Sequence, residues 1–69
     1  MPLSARNQLE GTVKSVKTGS VMAEVVIDTQ GQELVAAITI DSVDRLSLTE
    51  GKKVTAVIKA TDVLVSTTV

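Results

Sequence analysis

Cysteine, histidine, phenylalanine, tyrosine and tryptophan are all missing from this 69-residue chain, and proline occurs once. Without cysteine there is no disulfide and no thiol nucleophile. Without histidine the commonest general base and transition-metal ligand are gone as well. A core without aromatic rings has to be assembled from Val, Ile, Leu, Met and Ala. Glycine-rich phosphate loops and the G-x-S-x-G pattern of a nucleophile elbow are absent too, although 15 Ser and Thr residues are present. The eight carboxylates are spread over turns and strand faces, with no pair placed for acid–base work. This inventory points to binding rather than turnover, so the protein is not expected to be an enzyme.

Charge of either sign is also scarce as an excess. The net charge of −1 and pI near 5.1 give no global field that recruits nucleic acid or an anionic membrane. Lys14, Lys17, Lys52, Lys53 and Lys59 could gather into a local patch. The aromatic platforms on which single-stranded nucleic acid stacks are missing, however. No apolar run approaches the roughly 20 residues of a membrane span. Met1-Pro2-Leu3-Ser4 lacks the basic and apolar regions of a signal peptide, so the expected location is the cytoplasm. With no repeat, linker or low-complexity stretch, residues 1–69 are expected to form one free-standing domain.

Aliphatic residues, by contrast, are plentiful: apolar types reach 43% and the mean hydropathy is +0.30. A chain this short buries only about 60% of its unfolded surface. Small domains usually add a disulfide, a metal or a partner subunit, and the first two are excluded here. A homo-oligomer is therefore expected.

The order of the chain reads as strands. Leu9 to Lys17 mixes apolar and polar residues, with Gly11 as an expected bulge or bend. Thr18-Gly19-Ser20 reads as a turn. Val21 to Thr29 is the clearest strand, alternating Val21, Ala23, Val25 and Ile27 with Met22, Glu24, Val26 and Asp28. Gln30-Gly31-Gln32 closes a hairpin in which Gly31 supplies the positive φ. Glu33 to Ile40 follows, with Leu34, Ala36, Ile38 and Ile40 on one face. Asp41 or Ser42 reads as an N-cap opening a short helical turn through Val43 and Leu46. After the Thr49-Glu50-Gly51 turn, Lys52 to Ala60 forms a fourth strand that points Val54, Ala56 and Ile58 inward. Thr61-Asp62 bends the chain into a fifth strand, Val63 to Thr67. The expected fold is all-β: a small five-stranded OB-like barrel with one short helical turn between strands three and four. An SH3-like barrel is the alternative. Val26, Val35, Ala37, Val57 and Leu64 fall on nominally outward faces and are assigned to subunit interfaces rather than to scattered surface aliphatics.

The remaining chemistry is a set of hydrogen-bond donors. Ser4-Ala5-Arg6-Asn7-Gln8 brings a hydroxyl, a guanidinium and two amides together just before the first strand, which suits an oxyanion. Thr39 and Ser42 sit three apart where a strand gives way to the helical turn. Their hydroxyls and the N–H groups of the helix start can converge on an anion. Lys59 interrupts an aliphatic run at the end of the fourth strand. Each has a plainer reading: Arg6 as a surface charge near a terminus, Thr39 and Ser42 as helix caps, Lys59 as a solvated edge lysine. A shared ligand would join them.

These residues also carry a family resemblance. Ser4-Ala5-Arg6-Asn7-Gln8-Leu9-Glu10-Gly11, Ala23-Glu24-Val25-Val26, Asp41-Ser42-Val43, Glu50-Gly51 and Val57-Ile58-Lys59-Ala60-Thr61-Asp62-Val63 recur in this order in the molbindins. Nearly the whole chain resembles that family, the molybdenum-pterin-binding (Mop) type built of one transport-associated OB (TOBE) domain. The resemblance implies a cytoplasmic protein that binds molybdate or tungstate between the subunits of a hexamer, a trimer of dimers. It places Ser4 and Arg6 from one subunit, with Thr39, Ser42, Lys59 and the Ala60 backbone on the other side. It points to Gly19 and Ser20 as a second anion site, near which Met22 stands where a polar residue is expected. The function implied is storage or homeostasis of the oxyanion, with a molybdate-responsive sensor or assembly module acting through a protein partner as the alternative. Molybdate carries its own four oxygens, so such a site needs donors and no directly ligated metal. A donor-only site also rejects hydrogen phosphate, whose proton needs an acceptor.

Overall fold

In the computed structural model, which describes residues 6–67, the first strand organises everything else. Strand β1 (Asn7–Thr18) is twelve residues long and has a different partner along each half. Its first half pairs antiparallel with β4 (Lys53–Ile58), from Asn7 opposite Ile58 to Thr12 opposite Lys53. Its second half pairs with β2 (Met22–Thr29), ending with Thr18 opposite Ala23. Strand β3 (Gln32–Thr39) adds on the far side of β2, so the sheet order is β3-β2-β1-β4. The helix α1 (Ile40–Leu46) follows β3 directly, and a single 3-10 turn, Ala60–Asp62, follows β4.

The β2–β3 hairpin closes with a two-residue loop in which both Gln30 (φ 54°) and Gly31 (φ 82°) are left-handed. That is the geometry whose twist matches the flanking strands. The Asp28 side chain accepts a hydrogen bond from the Gly31 N–H at 3.1 Å. Alternation works as the sequence predicts: Ala23, Val25 and Ile27 of β2 are buried with Val13 of β1. Val43 of α1 caps this core, and Leu34, Ala36, Ile38, Val54 and Ala56 pack around it. Val21 is the exception to the predicted inward set; it precedes the strand and is exposed.

Three expectations are corrected. The bulge lies between Val13 and Ser15 rather than at Gly11. The extra residue, Lys14, is turned outward and its ammonium pairs with Glu33 on β3, which raises the Lys14 pKa above its ordinary value. Gly11 serves a different purpose. A Cβ there would lie 2.6 Å from Ile27 Cγ2 and 2.7 Å from the Asp28 carbonyl oxygen, so it marks a close approach of β1 to β2. Second, the N-cap of α1 is Thr39, not Asp41 or Ser42, because the helix starts a turn earlier than its apolar spacing implies. Third, the five-stranded barrel is an open four-stranded sheet among the described residues. The 3-10 turn diverts the chain after β4, and residues 63–67 continue without regular secondary structure. Leu64 and Val65 are 95% and 88% exposed, so these two side chains bury almost nothing against their own chain. The four strands of the described sheet draw none of their residues from that segment.

The opening between β3 and β4 is an apolar groove of about 400 Å³, lined among others by Leu34 and Ile38 on one side and Val54 and Ile58 on the other. No helix among the described residues is long and apolar enough to cross a membrane.

Candidate functional site

The strand register sorts the predicted donors into two groups. Asn7 lies opposite Ile58 at the end of the β1–β4 ladder, and Arg6 and Lys59 are the residues next beyond that end. Ala60, whose backbone begins the 3-10 turn, is beside them. Ser4 lies outside the described residues. The grouping implied by the resemblance sets Ser4 and Arg6 of one subunit against Thr39, Ser42, Lys59 and Ala60 on the other side; within one chain Arg6 and Lys59 both lie just beyond the same end of the β1–β4 pair.

Thr39 and Ser42 form the second group. Thr39 pairs with Met22 at the end of the β2–β3 ladder, and the Ile40 N–H donates to the Val21 carbonyl at 2.8 Å. This is the opposite end of β1 from Arg6, roughly 36 Å away along the strand contour. The two hydroxyls are linked. Thr39 Oγ1 accepts from the Ser42 N–H at 3.1 Å and donates to Ser42 Oγ at 2.9 Å. Two N–H groups of the helix start, those of Ile40 and Ser42, are thereby occupied, so the anion the sequence aimed at them finds fewer open donors than expected. Gly19 and Ser20, the predicted second site, lie in the β1–β2 turn near this group. The Gly19 N–H donates to the Met22 carbonyl at 2.8 Å.

Arg45 is the residue that sequence reasoning missed. Its Nη2 donates to Ser42 Oγ at 3.4 Å, while its Nε pairs with Asp41 Oδ2 at 3.2 Å one helical turn away. The signal for it was the i, i+3 spacing to Ser42 and the i, i+4 spacing to Asp41. Both are visible only once α1 is known to be a helix through residue 45.

A hollow larger than the β3–β4 groove lies elsewhere. It measures about 670 Å³ beside the β2–β3 hairpin, where Glu10 and Asp28 outnumber Lys53. Two carboxylates against one ammonium disfavour an oxyanion. No group of three or more metal-ligating side chains occurs among the described residues.

Comparison with known proteins settles the relationship. The TOBE domain family matches residues 3–65. The chain belongs to the TOBE-domain family. Within it, the molybdenum-pterin-binding type read from the motifs holds. Molybdenum-pterin-binding protein 3 of Clostridium pasteurianum is 50% identical over 66 residues, spanning 94% of this chain and 97% of that protein. The solved structure of a molybdate-binding protein from Sporomusa ovata superposes with a TM-score of 0.93 at 57% identity, covering 97% of this chain and 100% of that one. The cytoplasmic molybdate-binding protein ModG, solved with molybdate bound, matches with a TM-score of 0.83 at 48% identity. That match takes in 87% of this chain but 43% of ModG. All three are named for what they bind, and the TOBE match carries the OB-like assignment over the SH3-like alternative.

Proposed function

We propose that this protein binds molybdate, with tungstate as a second ligand, as a reversible cytoplasmic store without turnover. The observation that carries this reading is the division of the donors by the β1 register. Arg6, Lys59 and the Ala60 backbone stand at one end, and Thr39 and Ser42 at the other. In the proposed site the Arg6 end of one subunit meets the Ser42 end of its neighbour, with Ser4 joining the Arg6 half. Ser42 faces the anion, Thr39 acts through its bond to Ser42, and Gly19 and Ser20 border a second anion position. A homo-oligomer, the hexamer of paired dimers implied by the resemblance, supplies the neighbour. Its formation covers the β3–β4 groove and the exposed Leu64 and Val65.

The chemistry supports a dianion. Arg6 offers a fork of donors and Lys59 a point charge, each charge-assisted bond contributing about 1.5–3 kcal/mol. The ligand brings its own oxygens, so the lack of His and Cys is no obstacle. Sulfate matches molybdate in charge and shape, which leaves cavity size to separate them. Equilibrium dialysis against molybdate with sulfate in excess tests the reading. Retention of molybdate is expected; no retention, or full displacement by equimolar sulfate, overturns it.

A further inference from the structure

We propose that residues 46–51, the last of α1 and the loop after it, form a strap that shuts one end of the β3–β4 groove, with Lys52 as its latch. The inference rests on the assembly reading above, in which a neighbouring chain covers that groove. Two left-handed positions interrupt the strap, Ser47 at φ 52° and Gly51 at φ 92°. Between them Leu48 packs against the buried core, and together with Leu46 it lines the groove. The Ser47 and Leu48 N–H groups donate back to the Asp44 and Val43 carbonyls of α1, at 3.1 and 3.0 Å.

Lys52 stands where this strap joins the sheet. Its carbonyl accepts from the Val13 N–H at 2.8 Å, and the Gly51 N–H donates to the Val13 carbonyl at 2.8 Å. The backbone here is thereby fixed to a buried position of β1. The Lys52 ammonium reaches back to the Leu46 carbonyl at 2.6 Å and the Ser47 carbonyl at 3.4 Å. An ammonium only donates and a carbonyl only accepts, so the direction of both bonds is fixed. They satisfy carbonyls that a helix end leaves open, and they set a cation at its negative pole. One side chain thus ties the end of α1, too short to hold itself, to the sheet. Releasing the tie lets the chain turn about Ser47 and Gly51 and lift Leu46 and Leu48 from the groove with every strand pair intact. A neighbouring chain then gains a way in and out. Lys52 therefore governs how fast subunits exchange, from outside the proposed anion contacts.

The test uses the assembled full chain and two variants. Lys52→Met keeps an apolar stem and removes the donor, whereas Lys52→Arg keeps charge and donors. Hydrogen exchange at the Ser47 and Leu48 amides is expected to quicken about fivefold in Lys52→Met, the effect of losing one hydrogen bond, while Val25 and Ile27 keep their rates. Subunit exchange between unlabelled and isotope-labelled assemblies, read by mass spectrometry of the intact particles, should quicken by a similar factor. Lys52→Arg should restore both rates. Unchanged exchange at Ser47 and Leu48 overturns the latch. Quickening that extends equally through β2 overturns it too, because the lysine then merely holds the fold. Local quickening without faster subunit exchange overturns the strap's part in assembly and leaves the assembly reading standing. A wild-type protein that sediments as a single chain overturns both.

Discussion

Gly11 and Ser47 show how two single positions set opposite stability demands. At Gly11 a methyl group would fall within 2.7 Å of the Asp28 carbonyl oxygen and within 2.6 Å of Ile27 Cγ2. One of those atoms is backbone, so the strands must part to admit it. Gly11→Ala is expected to cost about 1–3 kcal/mol, the usual penalty for overpacking, read as a lower urea midpoint with an unchanged slope. Ser47 is the reverse case. It closes α1 in the left-handed region at φ 52°, where a side chain is strained and glycine is not. Its N–H already donates to the Asp44 carbonyl at 3.1 Å, so the turn is held by backbone and loses nothing with the side chain. Ser47→Gly is expected to stabilise by about 0.5 kcal/mol, a rise in thermal midpoint of a few degrees.

At the scale of elements, α1 is the least self-sufficient piece. Seven residues are too few to hold a helix alone, so the cap and the burial of Val43 decide whether it forms. Thr39 provides the cap and also donates to Ser42, which joins local stability to the site. Thr39→Ala is expected to cost about 1 kcal/mol in denaturant unfolding and to weaken anion binding. Thr39→Asp keeps the cap acceptor but adds a negative charge, so it is expected to hold stability while losing the anion. Alternation made β2, β3 and the hairpin legible in the sequence, since Ala23, Val25 and Ile27 repeat with period two and Gly31 marks the turn. The bulge was not legible. Lys14 is one polar residue among several in β1, and its reach to Glu33 across β2 appears only in the folded register. The fifth strand was misread for a related reason: Val63, Leu64 and Val65 look like a strand locally, but pairing is a property of what lies beside them. Of the candidate site, the sequence offers residue types, because Arg, Lys and hydroxyls are donors. Their grouping depends on the register between β1 and β4, a long-range relation that no local pattern encodes.

For the whole molecule, the separation of the donors along β1 becomes a statement about assembly. If each site joins the Arg6 end of one chain to the Ser42 end of another, Arg6→Ala and Ser42→Ala damage different halves of the same site. Each variant alone is expected to bind molybdate weakly while keeping the size of the assembly. When the two are unfolded together and refolded as a mixture, some sites draw an intact Arg6 from one chain and an intact Ser42 from its neighbour. Random mixing restores about a quarter of the sites to wild-type affinity, a consequence of each half-site being chosen independently. Each restored site also stabilises the chains that form it by mass action, about 2.7 kcal/mol at a hundredfold excess of ligand over the dissociation constant. Calorimetric titration of the mixture reads the restored fraction directly. If both halves belonged to one chain, every site in the mixture would carry one of the two lesions, and no wild-type fraction would appear. Leu64→Asp supplies the matching control. It touches no proposed anion contact, yet it charges a side chain that is 95% exposed in the single chain and is proposed to be covered in the assembly. Loss of molybdate binding together with a smaller sedimenting species is the expected result, and full binding by a dissociated chain would place the whole site within one subunit.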